Sequence, residues 1–362
     1  MNIGLPKEIK NYEHRVALTP KGVKTLIADG HQVIIETNAG LDSGFEDQLY
    51  LQAGGLIVEN PADAWAAELV VKVKEPQVQE YGYLRSDLTL FTYLHLAADA
   101  LLADELLKKG VCAIAYETVQ LQDGSLPLLA PMSRVAGRVA VQLGAHFLQK
   151  ENGTEYSGKG VLLGGVDGVA AARAVILGAG TVGLNAADAL IGLGAKVVML
   201  EKNSNYLERL KAQLDQRIEL QLFSEQALDR LLPTCDLLIG AALVPGEHAP
   251  RLLMRAELRR MASGSLFVDV SIDQGGVSET SRVSSFDAPI YRQEGVLHCC
   301  LPNLPSAVAR TSTHALTSVT LAYIQRLAGG VALACRTDSA LAAGVNVCAG
   351  NIIHAGVKKS LR

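Results

Sequence analysis

The sequence predicts an α/β protein with two doubly wound domains, and three observations carry that prediction. The chain has 362 residues, which at roughly 150 per domain makes about two domains. Short apolar runs alternate with helix-length segments almost throughout, the rhythm of parallel strands joined by crossover helices. With 49% hydrophobic residues, only 5% aromatic ones and 34 glycines, the core is built of Ala, Val, Leu and Ile between many tight turns.

In the first third, strands are expected at 32–36, 69–73, 88–94 and 111–116. Thr19-Pro20 starts a helix, a capping hydroxyl followed by proline at the first helical position. Another helix, 98–109, stops at Gly110. A long amphipathic segment, 133–149, follows, and the polar stretch 150–160 reads as a surface loop. Beyond it come strands at 174–177, 196–200, 218–223, 236–240, 266–270 and 297–301, the six that a doubly wound nucleotide fold uses. From Ser306 onward the strand rhythm stops, and 317–327 and 341–345 read as helical.

Charge excludes some classes of function. Lys and Arg number 33 against 37 Asp and Glu, a net −4 spread along the chain, so nothing supports a surface for nucleic acid. High hydrophobicity with low net charge excludes disorder over most of the length. Mean hydropathy is +0.21, yet no uncharged apolar run reaches the about 20 residues of a membrane span. Met1-Asn2-Ile3-Gly4-Leu5-Pro6-Lys7 lacks the apolar core of a signal peptide, so the expectation is a soluble cytoplasmic protein. The six cysteines, at 112, 235, 299, 300, 335 and 348, show no metal spacing; free buried thiols are expected and no metal site is assigned.

The sharpest local signal follows the strand at 174–177. Gly178-Ala179-Gly180-Thr181-Val182-Gly183 runs from that strand into a helix at 184–193. Gly178 permits the tight turn, Gly180 lets backbone approach a pyrophosphate, and Gly183 lets helix and strand pack closely; the helix N-terminus offers N–H groups to the anion. A bare G-x-G-x-x-G is a weak signal, but here the next strand ends at Glu201, 21 residues after Gly180. A carboxylate there binds both ribose hydroxyls of an adenosine and repels a 2′-phosphate, which favours NAD over NADP. The competing reading is a glycine-rich turn beside a surface glutamate.

Ligands of open parallel sheets collect beyond the carboxyl ends of the strands. Lys74 and His95 both lie at such ends, and they face one crevice if their strands are neighbours. The cation would hold a carboxylate, and the imidazole moves protons near neutral pH. Arg15 is able to grip a carboxylate with two parallel bonds. Taken singly, each also fits a solvated strand end or a structural role. Asp273, in a Gly-rich loop past the strand at 266–270, is placed to reach a substrate, whereas Asp269, inside that strand, reads as structural.

Several motifs together carry a resemblance. Gly4-Leu5-Pro6-Lys7-Glu8-Ile9-Lys10, Glu13-His14-Arg15-Val16-Ala17-Leu18-Thr19-Pro20, Val71-Lys72-Val73-Lys74-Glu75-Pro76 and Phe91-Thr92-Tyr93-Leu94-His95-Leu96-Ala97 resemble the alanine dehydrogenases. So do Ala130-Pro131-Met132-Ser133, Leu238-Ile239-Gly240-Ala241-Ala242-Leu243-Val244-Pro245-Gly246 and Asp273-Gln274-Gly275-Gly276, so that the resemblance spans nearly the whole chain. Nucleotide-binding subunits of NAD(P) transhydrogenases share parts of the pattern.

The resemblance implies a Rossmann NAD-binding domain, 130–305, inserted in a discontinuous substrate domain, 1–129 and 306–362, with a cleft between them and a homohexameric assembly. It implies reversible, NAD-dependent oxidative deamination of L-alanine to pyruvate and ammonium through an iminium. By position, Arg15 and Lys74 would hold the substrate, His95 would be the acid/base group and Asp273 the second active-site residue. Ser133, Thr181, Val182, Glu201, Ala242, Leu243, Val270, Ser271, Ile272, Asp273, Arg282, Leu301, Pro302, Asn303 and Leu304 would line the cofactor site with the glycines. Some positions depart from the family pattern. Glu201 stands where Asp is common, Tyr206 and Phe223 where some members have Lys and Ser, and Ala309 and Ser318 where Pro and Asn are frequent. Two alternatives stay open: a related amino-acid dehydrogenase or transhydrogenase-like subunit, and a non-catalytic NAD-binding regulatory protein.

Overall fold

The computed structural model describes residues 1–150, 157–242 and 248–361. Most of the loop expected at 150–160, namely 151–156, therefore lies outside the described residues. The chain forms two compact units, Met1–Met132 with Ser306–Arg362, and Ser133–Pro305.

The first unit holds β1 (Asn2–Leu5), β2 (Gln32–Glu36), β3 (Leu56–Val58), β4 (Leu69–Val71), β5 (Thr89–Thr92) and β6 (Cys112–Ala115), and these six run parallel. The second holds β7 (Arg173–Leu177), β8 (Lys196–Glu201), β9 (Ile218–Leu222), β10 (Leu237–Gly240), β11 (Leu266–Asp269), β12 (Tyr291–Gln293) and β13 (Val296–Cys299). The returning carboxyl-terminal segment adds β14 (Val345–Cys348) and β15 (Asn351–Ile352) to the first sheet.

Strand order in the first unit is β15-β14-β6-β5-β4-β1-β2-β3. The chain adds β2 and β3 on one side of β1 and β4 to β6 on the other, which places a topological switch point between β1 and β4. Strands β4 and β5 are buried at every position, as parallel strands covered on both faces are. One face of that sheet packs Trp65, Leu88, Leu90, Leu102, Leu106 and Val347 into a core. The helix after Thr19 spans Pro20–Ala28, and the Thr19 hydroxyl accepts the Gly22 N–H at 3.2 Å. The expected 98–109 helix begins later, at Ala100 behind an Asp99 cap, and Gly110 closes it at φ 69°.

Three expectations need correction. The strand rhythm does not end at Ser306: after helices Ala309–Ala328, Val331–Thr337 and Ser339–Gly344 the chain forms β14, antiparallel to β6, and β15. Val345 opens β14 rather than closing a helix, because strands of four and two residues are too short to show alternation. The turn between them places Ala349 (φ 46°) and Gly350 (φ 74°) in the left-handed region. The second sheet has seven strands rather than six, ordered β12-β13-β11-β10-β7-β8-β9, with the three-residue β12 antiparallel at its edge. Its switch point lies between β7 and β10. All six cysteines are free; Cys235, Cys299 and Cys300 are buried, but Cys112, Cys335 and Cys348 are half-exposed.

No single helix among the described residues is long and apolar enough to cross a membrane; Leu304–Ala328 and Val331–Thr337 pass only as a pair, bent by 116°.

Candidate active site

In the first unit, the segments leaving the carboxyl ends of β1, β4, β5 and β6 carry Arg15, Lys74, His95 and Glu117 in turn. Strands β4 and β5 are hydrogen-bonded neighbours (Val71 opposite Phe91), so Lys74 and His95 follow adjoining strand ends. Arg15 is only 3% exposed. Its Nε and Nη2 donate to the two oxygens of Glu13 at 2.7 and 2.5 Å, a bidentate pair, and Nη1 donates to Met132 Sδ at 3.1 Å. Burial works against its charge, but Glu13 outweighs it and holds the guanidinium protonated.

Lys74 is buried, and its backbone joins a network of charged side chains. Glu8 Oε1 accepts the N–H groups of Val73 (2.6 Å) and Lys74 (3.4 Å), and Lys72 bridges Glu8 (3.1 Å) and Glu80 (2.9 Å). Burial, opposed by Lys72, pushes the Glu8 carboxyl up to about 7. The Thr92 hydroxyl donates to the Lys74 carbonyl at 2.9 Å and ties the ends of β4 and β5 together.

His95 adopts φ 49°, ψ 34°, a left-handed conformation that costs a non-glycine residue about 1–2 kcal/mol. Its imidazole is exposed and lies parallel to the Tyr93 ring (4° between planes, centroids 5.9 Å apart). Tyr93 itself is fixed: its hydroxyl donates to the Leu128 carbonyl at 2.6 Å and its ring meets Tyr116 edge-on at 5.0 Å. The Arg15 charge acts on Tyr93, so one aromatic ring joins the surroundings of Arg15 to those of His95.

In the second unit, the glycine turn stands at the β7/β10 switch point. Gly178 has φ 105°, and a Cβ there would meet the Ala241 carbonyl oxygen at 2.7 Å. A Cβ on Gly183 would fall 2.0 Å from the Gly178 oxygen, so close helix–strand packing demands that glycine. Gly180 differs: among the described residues nothing lies within 4 Å of its Cβ position. Its bareness answers to no neighbour among the described residues and fits a ligand backed against the turn. Thr181 and Val182 begin the helix Thr181–Gly192, whose N-terminus faces that opening.

Glu201 ends β8 with both oxygens engaged, Oε2 by the Ala179 N–H at 3.1 Å and Oε1 by the Asn203 N–H at 2.8 Å. Each oxygen has a second lone pair for a hydroxyl. The Tyr206 hydroxyl donates to the Ala179 carbonyl at 3.1 Å, so this departure from the family pattern braces the glycine turn. Phe223 packs against the core of the second unit.

The remaining candidates follow β10, β11 and β13. Asp269 is buried and accepts from the Ser271 N–H (3.0 Å), the Val277 N–H (2.8 Å) and the Ser281 hydroxyl (2.5 Å), which shapes the whole Gly-rich loop. In the short turn Val270–Gln274, Ser271 donates to the Ala242 carbonyl at 2.8 Å, Ile272 is buried and Asp273 is exposed. Asp273 Oδ2 accepts the Asn303 N–H at 3.4 Å, which joins the loop after β11 to Leu301, Pro302, Asn303 and Leu304 after β13. Arg282 stands over the Tyr291 ring at 4.1 Å, and its N–H donates to the Tyr291 hydroxyl. Ser133 is half-exposed in the helix Ala130–Phe147. Leu243 lies outside the described residues.

Sequence reasoning does not reach Glu13, Tyr93 and Glu117 as site residues, and it marks Tyr206 only as a departure from the family pattern. Glu117 lies two residues past the end of β6, where the strand-end rule that selects His95 also applies.

A glycine turn at a switch point, backed by a carboxylate on the adjoining strand, defines a doubly wound nucleotide-binding protein. Family models described as the N-terminal and C-terminal domains of alanine dehydrogenase/PNT match residues 4–136 and 140–355. An alanine dehydrogenase of Bacillus subtilis (strain 168) is 48% identical over 363 residues, covering 100% of this chain and 95% of that protein. A solved L-alanine dehydrogenase superposes with a TM-score of 0.95 at 48% identity, over 99% of both chains. A transhydrogenase from Sinorhizobium meliloti, 23% identical with a TM-score of 0.81 over 98% of this chain and 99% of its own, shares the fold. The chain belongs to the alanine dehydrogenase/PNT family and is an oxidoreductase.

Proposed function

We propose that this chain is an NAD-dependent alanine dehydrogenase that interconverts L-alanine with pyruvate and ammonium. The observation that carries the reading is the full-length 48% identity to an alanine dehydrogenase in a chain that places Arg15, Lys74 and His95 past neighbouring strand ends. Segments 1–129 and 306–362 form the substrate domain and 130–305 the NAD domain. By family resemblance the enzyme is a homohexamer of the cytoplasm.

Each residue has a defined task. Arg15 and Lys74 hold the substrate carboxylate, and burial raises the worth of both charges. His95 takes a proton from the amino-acid nitrogen or the attacking water and returns it in the reverse direction; Asp273 assists the same transfers. In the aminating direction ammonia adds to the pyruvate carbonyl, and loss of water leaves an iminium, a better hydride acceptor than the ketone. Gly178, Gly180 and Gly183 with the helix at Thr181 would cradle the pyrophosphate, and Glu201 would hold the adenosine ribose. NAD, when bound, supplies the acceptor for the substrate hydride. Ser133, Val182, Ala242, Leu243, Val270, Ser271, Ile272, Arg282 and Leu301 to Leu304 complete that site.

The test follows NADH consumption across a panel of 2-oxo acids with and without ammonium. Pyruvate with ammonium should be turned over fastest, and omission of ammonium should abolish the reaction. His95→Ala should lower kcat about 10²–10⁴-fold, the usual worth of a positioned proton-transfer group. Near-normal turnover by that variant removes His95 from the mechanism, and ammonium-independent oxidation of NADH points to a different activity.

A further inference from the structure

We infer that Glu117 is the positioning residue of His95: its carboxylate fixes the left-handed backbone that presents the imidazole. This rests on the role proposed above for His95 and extends it to the residue that sets its geometry.

The observations converge on one carboxylate. Strands β5 and β6 are parallel neighbours with Thr92 opposite Ala115, so the segments leaving them run side by side. Glu117 Oε1 accepts the His95 N–H at 2.6 Å and the Leu94 N–H at 3.2 Å, and Oε2 lies 3.3 Å from the same Leu94 nitrogen. Two successive backbone donors aimed at one anion make a charge-assisted clamp. It sits on the residue whose backbone conformation L-amino acids rarely adopt, and a left-handed residue persists where its surroundings over-determine it.

Glu117 is itself immobilised on both sides. Tyr116 is fully buried and meets Phe91 edge-on at 4.4 Å. Thr118 accepts from Asn346 Nδ2 at 2.6 Å, and the Asn346 amide also donates to the Gly344 carbonyl at 2.9 Å. The returning carboxyl-terminal segment thereby anchors the turn that carries Glu117. Its last helix, Ala355–Ser360, packs against the short turn Leu96–Ala98 that directly follows His95. The imidazole ring, stacked on Tyr93, is thus free to serve the substrate while its backbone is held from behind.

The experiment combines three substitutions of Glu117 with His95→Ala. Glu117→Ala should lower kcat about 10²-fold, the typical loss for misplacing a reacting group by about 1 Å, and change KM for L-alanine less than about threefold. Glu117→Gln keeps an acceptor oxygen and should recover kcat to within about fivefold of wild type; Glu117→Asp, one methylene shorter, should behave like Ala. Amide hydrogen exchange at 94 and 95 should accelerate at least about tenfold in the Ala and Asp variants and not in Gln. The double variant His95→Ala/Glu117→Ala should be no slower than His95→Ala alone, since both act through one imidazole. Wild-type kcat in Glu117→Ala, or losses that multiply in the double variant, overturns the assignment while leaving His95 in place. An active His95→Ala enzyme overturns the proposed mechanism instead. Should the Ala variant not fold, equal kcat in the Gln and Asp variants overturns the clamp.

Discussion

The three glycines of the 178–183 turn are bare for three different reasons, and the reasons separate stability from binding. Gly178 needs φ 105°, Gly183 has the Gly178 oxygen 2.0 Å from where its Cβ would be, and Gly180 has open space and an ordinary φ of −73°. Gly183→Ala should therefore destabilise the fold by about 1–3 kcal/mol, the usual cost of overpacking. Gly180→Ala should leave the urea midpoint within error of wild type yet weaken NAD binding about 10–10²-fold, because the added methyl occupies the approach to the turn. Urea unfolding and titration calorimetry on the two variants measure both effects. NAD bound by Gly180→Ala as tightly as by wild type would place the pyrophosphate elsewhere.

Strand β13 brings His298 inside the second unit with no exposure at all. Its Nδ1 lies 3.0 Å from the Val296 carbonyl, which only accepts, so Nδ1 carries the proton and Nε2 accepts from the Thr280 hydroxyl at 2.8 Å. The neutral ring packs against Phe267 and Tyr291 (centroids 5.4 and 5.0 Å away). Burial, with Arg282 adding to it, lowers its pKa to about 4. The unfolded chain binds the proton more readily, so His298 costs stability as pH falls below about 6.5 and reaches its full cost, on the order of 3 kcal/mol, below about 4. His298→Asn, which keeps a donor for the Val296 carbonyl, should flatten the loss of urea resistance between pH 7 and 4.5 by about that amount; parallel pH profiles would exclude the histidine as its source. The edge element beside β13 also shows what the sequence withholds. Strands β7 and β8 are legible because burial on both faces leaves unbroken apolar runs. Strands β12, β14 and β15 have four residues or fewer and no such run; β12 and β15 are made strands by short hairpins to β13 and β14, and β14 also by pairing with the distant β6.

Over the whole molecule, the strand-end rule of parallel sheets makes Lys74, His95 and Asp273 legible in the amino-acid sequence, since each follows a recognisable apolar run. Glu13 stays hidden there because its work is to hold a guanidinium, a task with no signature along the chain; the strand end before Glu117 and the departure at Tyr206 mark the positions but not the backbone groups they hold. The division into two units also sets how cofactor should register in a melt. A ligand that binds only the folded state adds RT ln(1 + [L]/Kd), about 2.7 kcal/mol at a hundredfold excess over Kd. For a cooperative unit the size of Ser133–Pro305 that amounts to a rise in Tm of about 5–10 °C. NADP at the same concentration should raise Tm far less, because a 2′-phosphate would be set beside the Glu201 carboxylate, whose oxygens the Ala179 and Asn203 N–H groups already fix in place. Glu201→Ala should lower the NAD shift and close most of the gap between the two nucleotides. Differential scanning calorimetry of wild type and variant with each nucleotide checks this; equal shifts by NAD and NADP in the wild type, or an undiminished gap in Glu201→Ala, would take the ribose away from Glu201.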